Sequence, residues 1–294
     1  MASLSARSLF LWLSAVPILA SCTSFGAEGR EEHVFSQSAC FDWFEDRAPA
    51  EAAEPGKFFS PDRLLGCFNG TIESDDPAAA GTQALADWAG TASGGGKVLV
   101  IRSHGGDAEV AIAIAENLQA QVVTVIAHEL CASSCANYIF AGVEDRRVTS
   151  NTLVLFHGGF SDQSRSRIEE SLERLYAQAG DLIENVEVDR QRVLASFDTN
   201  RARQDALLRR AGVDTAIIHS VDANDASTLP AELCGGVSNL PRNFVYFSED
   251  DAAKLGLHLS GGSILTDPSA VNRRIADLGR AFVACRLPLD TMTQ

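Results

Sequence analysis

The chain has 294 residues, 46% of them hydrophobic and 21% charged, and its formal net charge is −15 at pH 7. That length and composition suit one large core or two smaller ones. With lysine present only at Lys57, Lys97 and Lys254, the chain lacks the clustered positive charge that neutralises phosphates, which excludes nucleic acid from its expected partners.

The N-terminus reads as an export signal. Arg7 precedes "FLWLSAVPILA" (10–20), an apolar run too short to cross a bilayer. The run ends in Leu19-Ala20-Ser21-Cys22, which resembles a bacterial lipobox. That resemblance implies a leader over 1–21, a lipid on Cys22 and attachment to the membrane through it. Thr23 follows the cysteine, where an aspartate retains lipoproteins at the inner membrane, so the outer membrane is favoured. The plainer reading is an ordinary signal peptide cut after Gly26. Residues 22–39 are polar and read as a tether.

Six cysteines remain: Cys40, Cys67, Cys131, Cys135, Cys234 and Cys285. An even number in an exported chain points to disulfides. Cys40–Cys67, Cys131–Cys135 and Cys234–Cys285 is one plausible pairing among the fifteen that six cysteines allow. Zinc is the competing use, but no CxxC pair occurs; neither a metal nor a cofactor is expected.

Residues 40–66 read as irregular, and "CFNGTI" (67–72) as a short strand. Residues 76–91 have helical composition, with Ser74 or Asp75 available as a cap. "KVLVIRS" (97–103) is a continuous apolar strand of the kind covered on both faces. Gly105-Gly106 makes a turn, and Asp107 opens a helix running to residue 121. "VVTVIAH" (122–128) is the next strand. "CASSCANYIFAG" (131–142) turns into a helix near Ser133, and "TLVLFH" (152–157) is a further strand. Alternation of this kind predicts an α/β fold with a parallel sheet. From about 163 to 210 the pattern is amphipathic and helical, either an arm packed on the core or an oligomer contact. A helix is expected over 251–255, and a helical tail over 263–294.

Gly105-Gly106, Ser133-Ser134 and His157 fall at the carboxyl ends of successive strands, where open α/β sheets form ligand crevices. Their chemistry is complementary. A serine hydroxyl needs a base to become a nucleophile, and imidazole serves at neutral pH. The oxyanion then needs preorganised donors, which glycine backbone supplies without a Cβ in the way.

"IRSHGGDAEVAIAIAENL", "CASSCANYIFAG" and "NTLVLFHGG", in that order, resemble the serine peptidases of the ClpP/crotonase superfamily, closest to a periplasmic branch. The likeness covers residues 67–160 and returns at "FSEDDAAKLGL" (247–257). It implies an α/β, repeated β-β-α superhelix over 40–262, here with an added helical arm. It also implies Ser133 as nucleophile, His157 as base and the main-chain amides of Gly106 and Ser134, beside Gly105, as the oxyanion hole. His104 stands where the family has proline, which predicts a looser turn. The family's acid register falls on Phe244, so Asn243 beside it is the candidate third member.

Each feature also has an ordinary reading. Ser133 alone could be a helix cap, His157 a structural strand-end histidine, Gly105-Gly106 a turn and His128 a loop residue. The expected function is an exported serine peptidase working without ATP on peptide or protein substrates. The alternative is an impaired relative serving as an envelope binding or assembly module. A homo-oligomer is compatible with both.

Overall fold

The computed structural model describes residues 28–47, 54–74, 79–179, 186–223, 226–237 and 239–290. The leader over 1–21, Cys22 and the alternative cut at Gly26 lie outside them. The centre is a sheet in the order β1 (Lys57–Phe59), β2 (Leu65–Ile72), β3 (Val98–Gly106), β4 (Thr124–Ala132), β5 (Arg146–Val148) and β8 (Ser260–Gly261), with β6 (Leu153–Leu155) also pairing β4. Only the β1–β2 pair is antiparallel; all the other pairs of this sheet are parallel. The architecture is therefore α/β with a mostly parallel sheet.

The unbroken apolar run in β3 follows from its position. Leu99 and Ile101 pack in one layer with α2 (Ala80–Gly90), α3 (Ala108–Ala120) and a π-helix at Cys135–Phe140. Val98 and Val100 pack on the opposite face against Cys40 and Phe44 of α1 (Glu28–Glu45). A strand covered on both faces has no polar side to alternate with. α3 starts where Asp107 accepts a hydrogen bond from Val110 N at 3.0 Å, as an N-cap should.

Two helices, α4 (Asp162–Ala179) and α5 (Val186–Arg210), form the arm. Ion pairs Arg165–Asp198 at 2.8 Å and Arg190–Glu173 at 3.6 Å tie them side by side. Phe197, Leu207 and Leu208 of α5 are buried, so its C-terminal half packs on the core, while Leu175, Val188 and Val193 stay exposed. Then follow α6 (Ala216–Ala223), β7 (Arg242–Tyr246), α7 (Glu249–Lys254), α8 (Pro268–Asp277) and β9 (Val283–Arg286). β7 and β9 form a separate parallel pair. Phe156 N and Val245 N each donate to the other's carbonyl, at 2.7 and 2.8 Å, which fastens β7 beside the end of β6.

Several expectations are corrected. α1 begins at Glu28, inside the stretch that reads as a tether, and β1 and β2 lie in the stretch that reads as irregular. α2 begins at Ala80, and its N-cap Ala79 has no side-chain cap bond, so Ser74 does not serve; Asp75 lies outside the described residues. The tail is not wholly helical, because Val283–Arg286 adds a strand that carries Cys285.

The three disulfides are Cys40–Cys67, Cys131–Cys135 and Cys234–Cys285, with Cα separations of 5.5, 5.4 and 4.2 Å. They point to an oxidising compartment outside the cytoplasm. Among the described residues, no helix is long and apolar enough to cross a membrane.

Candidate active site

β4 ends at Ala132, and the π-helix begins two residues after Ser133. Ser133 is the joint between them. Its φ is +53°, a left-handed conformation that costs a non-glycine residue about 1–2 kcal/mol. It persists because the surroundings fix it. Ser133 N donates to Leu155 O at 2.9 Å, and Ser133 O accepts from Asn137 N at 2.8 Å. The Cys131–Cys135 bridge spans the joint, with Cys131 in the strand and Cys135 opening the helix. Strain held in this way clusters at functional sites.

No side chain caps this helix: the N-cap residue is Ser134, and it makes no side-chain cap bond. Ser133 is half-buried, so its hydroxyl remains reachable. Ser134 Oγ and Asn137 Oδ1 are buried without a hydrogen-bond partner among protein atoms.

Gly105 lies against this joint. A Cβ at Gly105 would come within 2.7 Å of Ser133 Cβ and of Ser134 N, and within 2.6 Å of Ala132 O. Its φ of +91° also suits glycine alone. Gly105 N donates to Ser103 Oγ at 3.0 Å. Gly105 and Gly106 are not the turn the sequence suggests but the last two residues of β3, paired with Thr71 and Ile72 of β2 after a register shift between Asn69 and Thr71. The His104 ring itself meets Arg280.

His157 follows the bridge at Phe156. Its carbonyl accepts from Asn137 Nδ2 at 2.7 Å, tying it to the helix that follows Ser133. The residue is exposed and lines the mouth of a cavity of about 560 Å³. Packing against the cavity wall nevertheless pushes the pKa of the imidazole below its ordinary value; the Asp222 charge and a main-chain bond at Gly158 oppose that, while Arg167 adds to it. No hydrogen bond joins Ser133 Oγ to the His157 ring among the described residues.

The structure does not support Asn243 as the third member. Asn243 is exposed on the cavity wall, and the group against His157 is Phe244, with ring centroids 5.6 Å apart. Phe244 in turn packs on Phe282 at 4.6 Å. The charge beside His157 is Asp222, which sequence reasoning missed. It is 7% exposed, accepts a hydrogen bond from Ser161 Oγ and lies 3.6 Å from Arg167. Its carboxylate rests on Gly158, where a Cβ would overlap Oδ1 and lie 2.7 Å from Cγ. Two signals pointed that way: an acid on the apolar face of "AIIHSVDA", four residues after Ile218, and a Gly-Gly following His157.

His128 lies in β4 rather than in a loop, stacked on Phe44 at 5.2 Å with Nδ1 3.1 Å from Thr149 Oγ1. That is a structural role. Among the described residues, no group of three or more His, Cys, Asp or Glu side chains could hold a metal ion.

Neither protein-family models nor curated proteins give a match to this chain.

Proposed function

We propose that the chain is an exported serine hydrolase of the ClpP/crotonase type, most consistent with an ATP-independent peptidase. The observation that carries this reading is Ser133, a half-buried serine in a left-handed strand-to-helix joint with Gly105 pressed against it. In the proposed reaction, Ser133 Oγ attacks a carbonyl carbon and His157 accepts its proton. The amides of Gly106 and Ser134 receive the charge that develops on the carbonyl oxygen. His157 then protonates the leaving group, and water releases the acyl chain from Ser133. Asp222, rather than Asn243, supplies the negative charge that stabilises the imidazolium. Substrate binding must draw Ser133 Oγ and His157 into hydrogen-bond reach, since resting sites can be looser than reacting ones. Lipidation at Cys22 would hold the enzyme at the cell envelope, facing the periplasm.

A second reading is a binding or assembly module that keeps the fold. Two observations favour it: the unbonded Ser133–His157 pair and the apolar Phe244 on the histidine. Turnover of an activated ester and of short peptides separates the two. A hydrolase loses turnover in both Ser133→Ala and His157→Ala; a binding module has none to lose.

A further inference from the structure

The cavity beside His157 is lined by charge opposite in sign to the net charge of the chain. Its lining includes Arg167, Arg242 and Asp222, with neutral Gln163 and Asn243. His157 is neutral near pH 7, because its pKa lies below the ordinary imidazole value. Two guanidiniums against one carboxylate leave the lining net positive, in a protein of formal net charge −15. Such a pocket attracts anions locally against the field of the whole molecule.

The two arginines are not equivalent. Arg167 lies 3.6 Å from Asp222 Oδ1 and also donates to the Asp222 carbonyl at 3.2 Å, so its charge is matched. Arg242 donates to main-chain carbonyls only: Leu229 O at 2.7 Å, with Ser227 O and Val237 O at 3.5 Å. Among the described residues, no carboxylate lies within ion-pair distance of it. Those carbonyls fix the direction of the half-buried guanidinium without cancelling its charge. Nη1 donates to two of those carbonyls and Nη2 to the third, so the edge formed by Nε and the other Nη2 hydrogen is the one preorganised for a carboxylate. The cavity, about 560 Å³, has room for several residues of a peptide and falls in the range of ligand sites.

We propose that this cavity is a subsite for a carboxylate group of the substrate, with Arg242 as the residue that selects it. The substrate class is then an acidic peptide, cleaved near a Glu or Asp side chain or near a free C-terminus. This rests on the hydrolase reading for its link to turnover, but the subsite can be tested without it.

The test uses dye-labelled, C-terminally amidated hexapeptides of Ala and Gly with one Glu moved through each position, their Gln twins, and one peptide of the same composition with a free C-terminal carboxylate. Each is titrated by fluorescence anisotropy against the full-length wild type, Ser133→Ala, Arg242→Gln and Gln163→Glu. The expected result is that at least one Glu peptide, or the free-carboxylate peptide, binds Ser133→Ala about 10- to 100-fold tighter than its neutral twin. Which of them does so distinguishes a side-chain from a C-terminal acid. Arg242→Gln abolishes the preference. Gln163→Glu, a change on an exposed residue of the lining that leaves the Arg242 bonds intact, weakens it several-fold even if Arg242→Gln folds poorly. Equal binding of acidic and neutral twins to Ser133→Ala overturns the proposal, as does a preference that survives both Arg242→Gln and Gln163→Glu. Because Ser133→Ala cannot form an acyl-enzyme, failure here is separate from failure of the hydrolase reading.

Discussion

Gly105→Ala tests how the serine joint is held. Two costs add at this position. The first is a positive φ of +91°, worth about 1–2 kcal/mol for a residue with a Cβ. The second is overlap: the new methyl would lie 2.6 Å from Ala132 O and 2.7 Å from both Ser133 Cβ and Ser134 N. Two of those atoms are backbone, so relief requires a chain shift rather than a rotamer change, at about 1–3 kcal/mol. The sum, roughly 2–5 kcal/mol, is a large part of the 5–15 kcal/mol that holds an ordinary domain. Gly94→Ala is the control: its φ is +77° with nothing within 4 Å of a Cβ, so only the first cost applies. Urea unfolding of both variants gives the difference, expected at about 1–3 kcal/mol. Where Gly105→Ala remains folded, ester turnover should fall by at least 100-fold, because the shift displaces Ser134 N and the Ser133 side chain together. Equal unfolding midpoints for the two variants, or wild-type turnover in folded Gly105→Ala, would mean that Gly105 does not hold the serine joint.

Asp222→Asn removes the charge that raises the His157 pKa, so the pKa falls further below its ordinary value. Because the base works in its neutral form, the acid limb of kcat/KM should move to lower pH. The plateau should drop about 10- to 100-fold, less than the ~10⁴-fold seen where an acid bonds the histidine directly; an unmoved limb contradicts the role given to Asp222. Gly158→Ala pushes the same carboxylate aside through its overlap with Oδ1. It should reproduce that pH profile, and a wild-type profile would count against the contact. Replacing Cys131 and Cys135 together by Ser opens a loop with a sequence separation of 4, against 27 for Cys40–Cys67. Chain entropy sets the losses at roughly 2 and 3.5 kcal/mol. Turnover should nevertheless fall more in the Cys131/Cys135 variant, because that bridge spans Ser133; the reverse order would show that the joint does not need it.

What was legible in the sequence was local. The apolar run 97–103 named a strand because both its faces are buried, and Asp107 announced α3 because an N-cap acts over three residues. Cys131 lies in β4, before the helix that Cys135 begins, because cysteines four apart on one regular helix are poorly placed for a bridge. What was missed depends on distant partners. α1 carries little amphipathic signal; what holds it is Phe44 and Cys40 set against β2 and β3. Val283–Arg286 is a strand only because β7 lies beside it. The family register fell on Phe244 and made its neighbour Asn243 the candidate, while Asp222 of α6 comes against Gly158, next to His157, across the fold. Ser133 and His157 could be named from motif and order, but their unbonded state belongs to side-chain geometry.

Incubating the oxidised full-length protein with a fluorophosphonate and mapping the adduct by mass spectrometry tests Ser133 as the nucleophile most directly. A single adduct is expected on Ser133, formed far more slowly in His157→Ala and on no residue in Ser133→Ala. A folded protein with all three disulfides intact that takes no adduct, or takes one elsewhere, would contradict it.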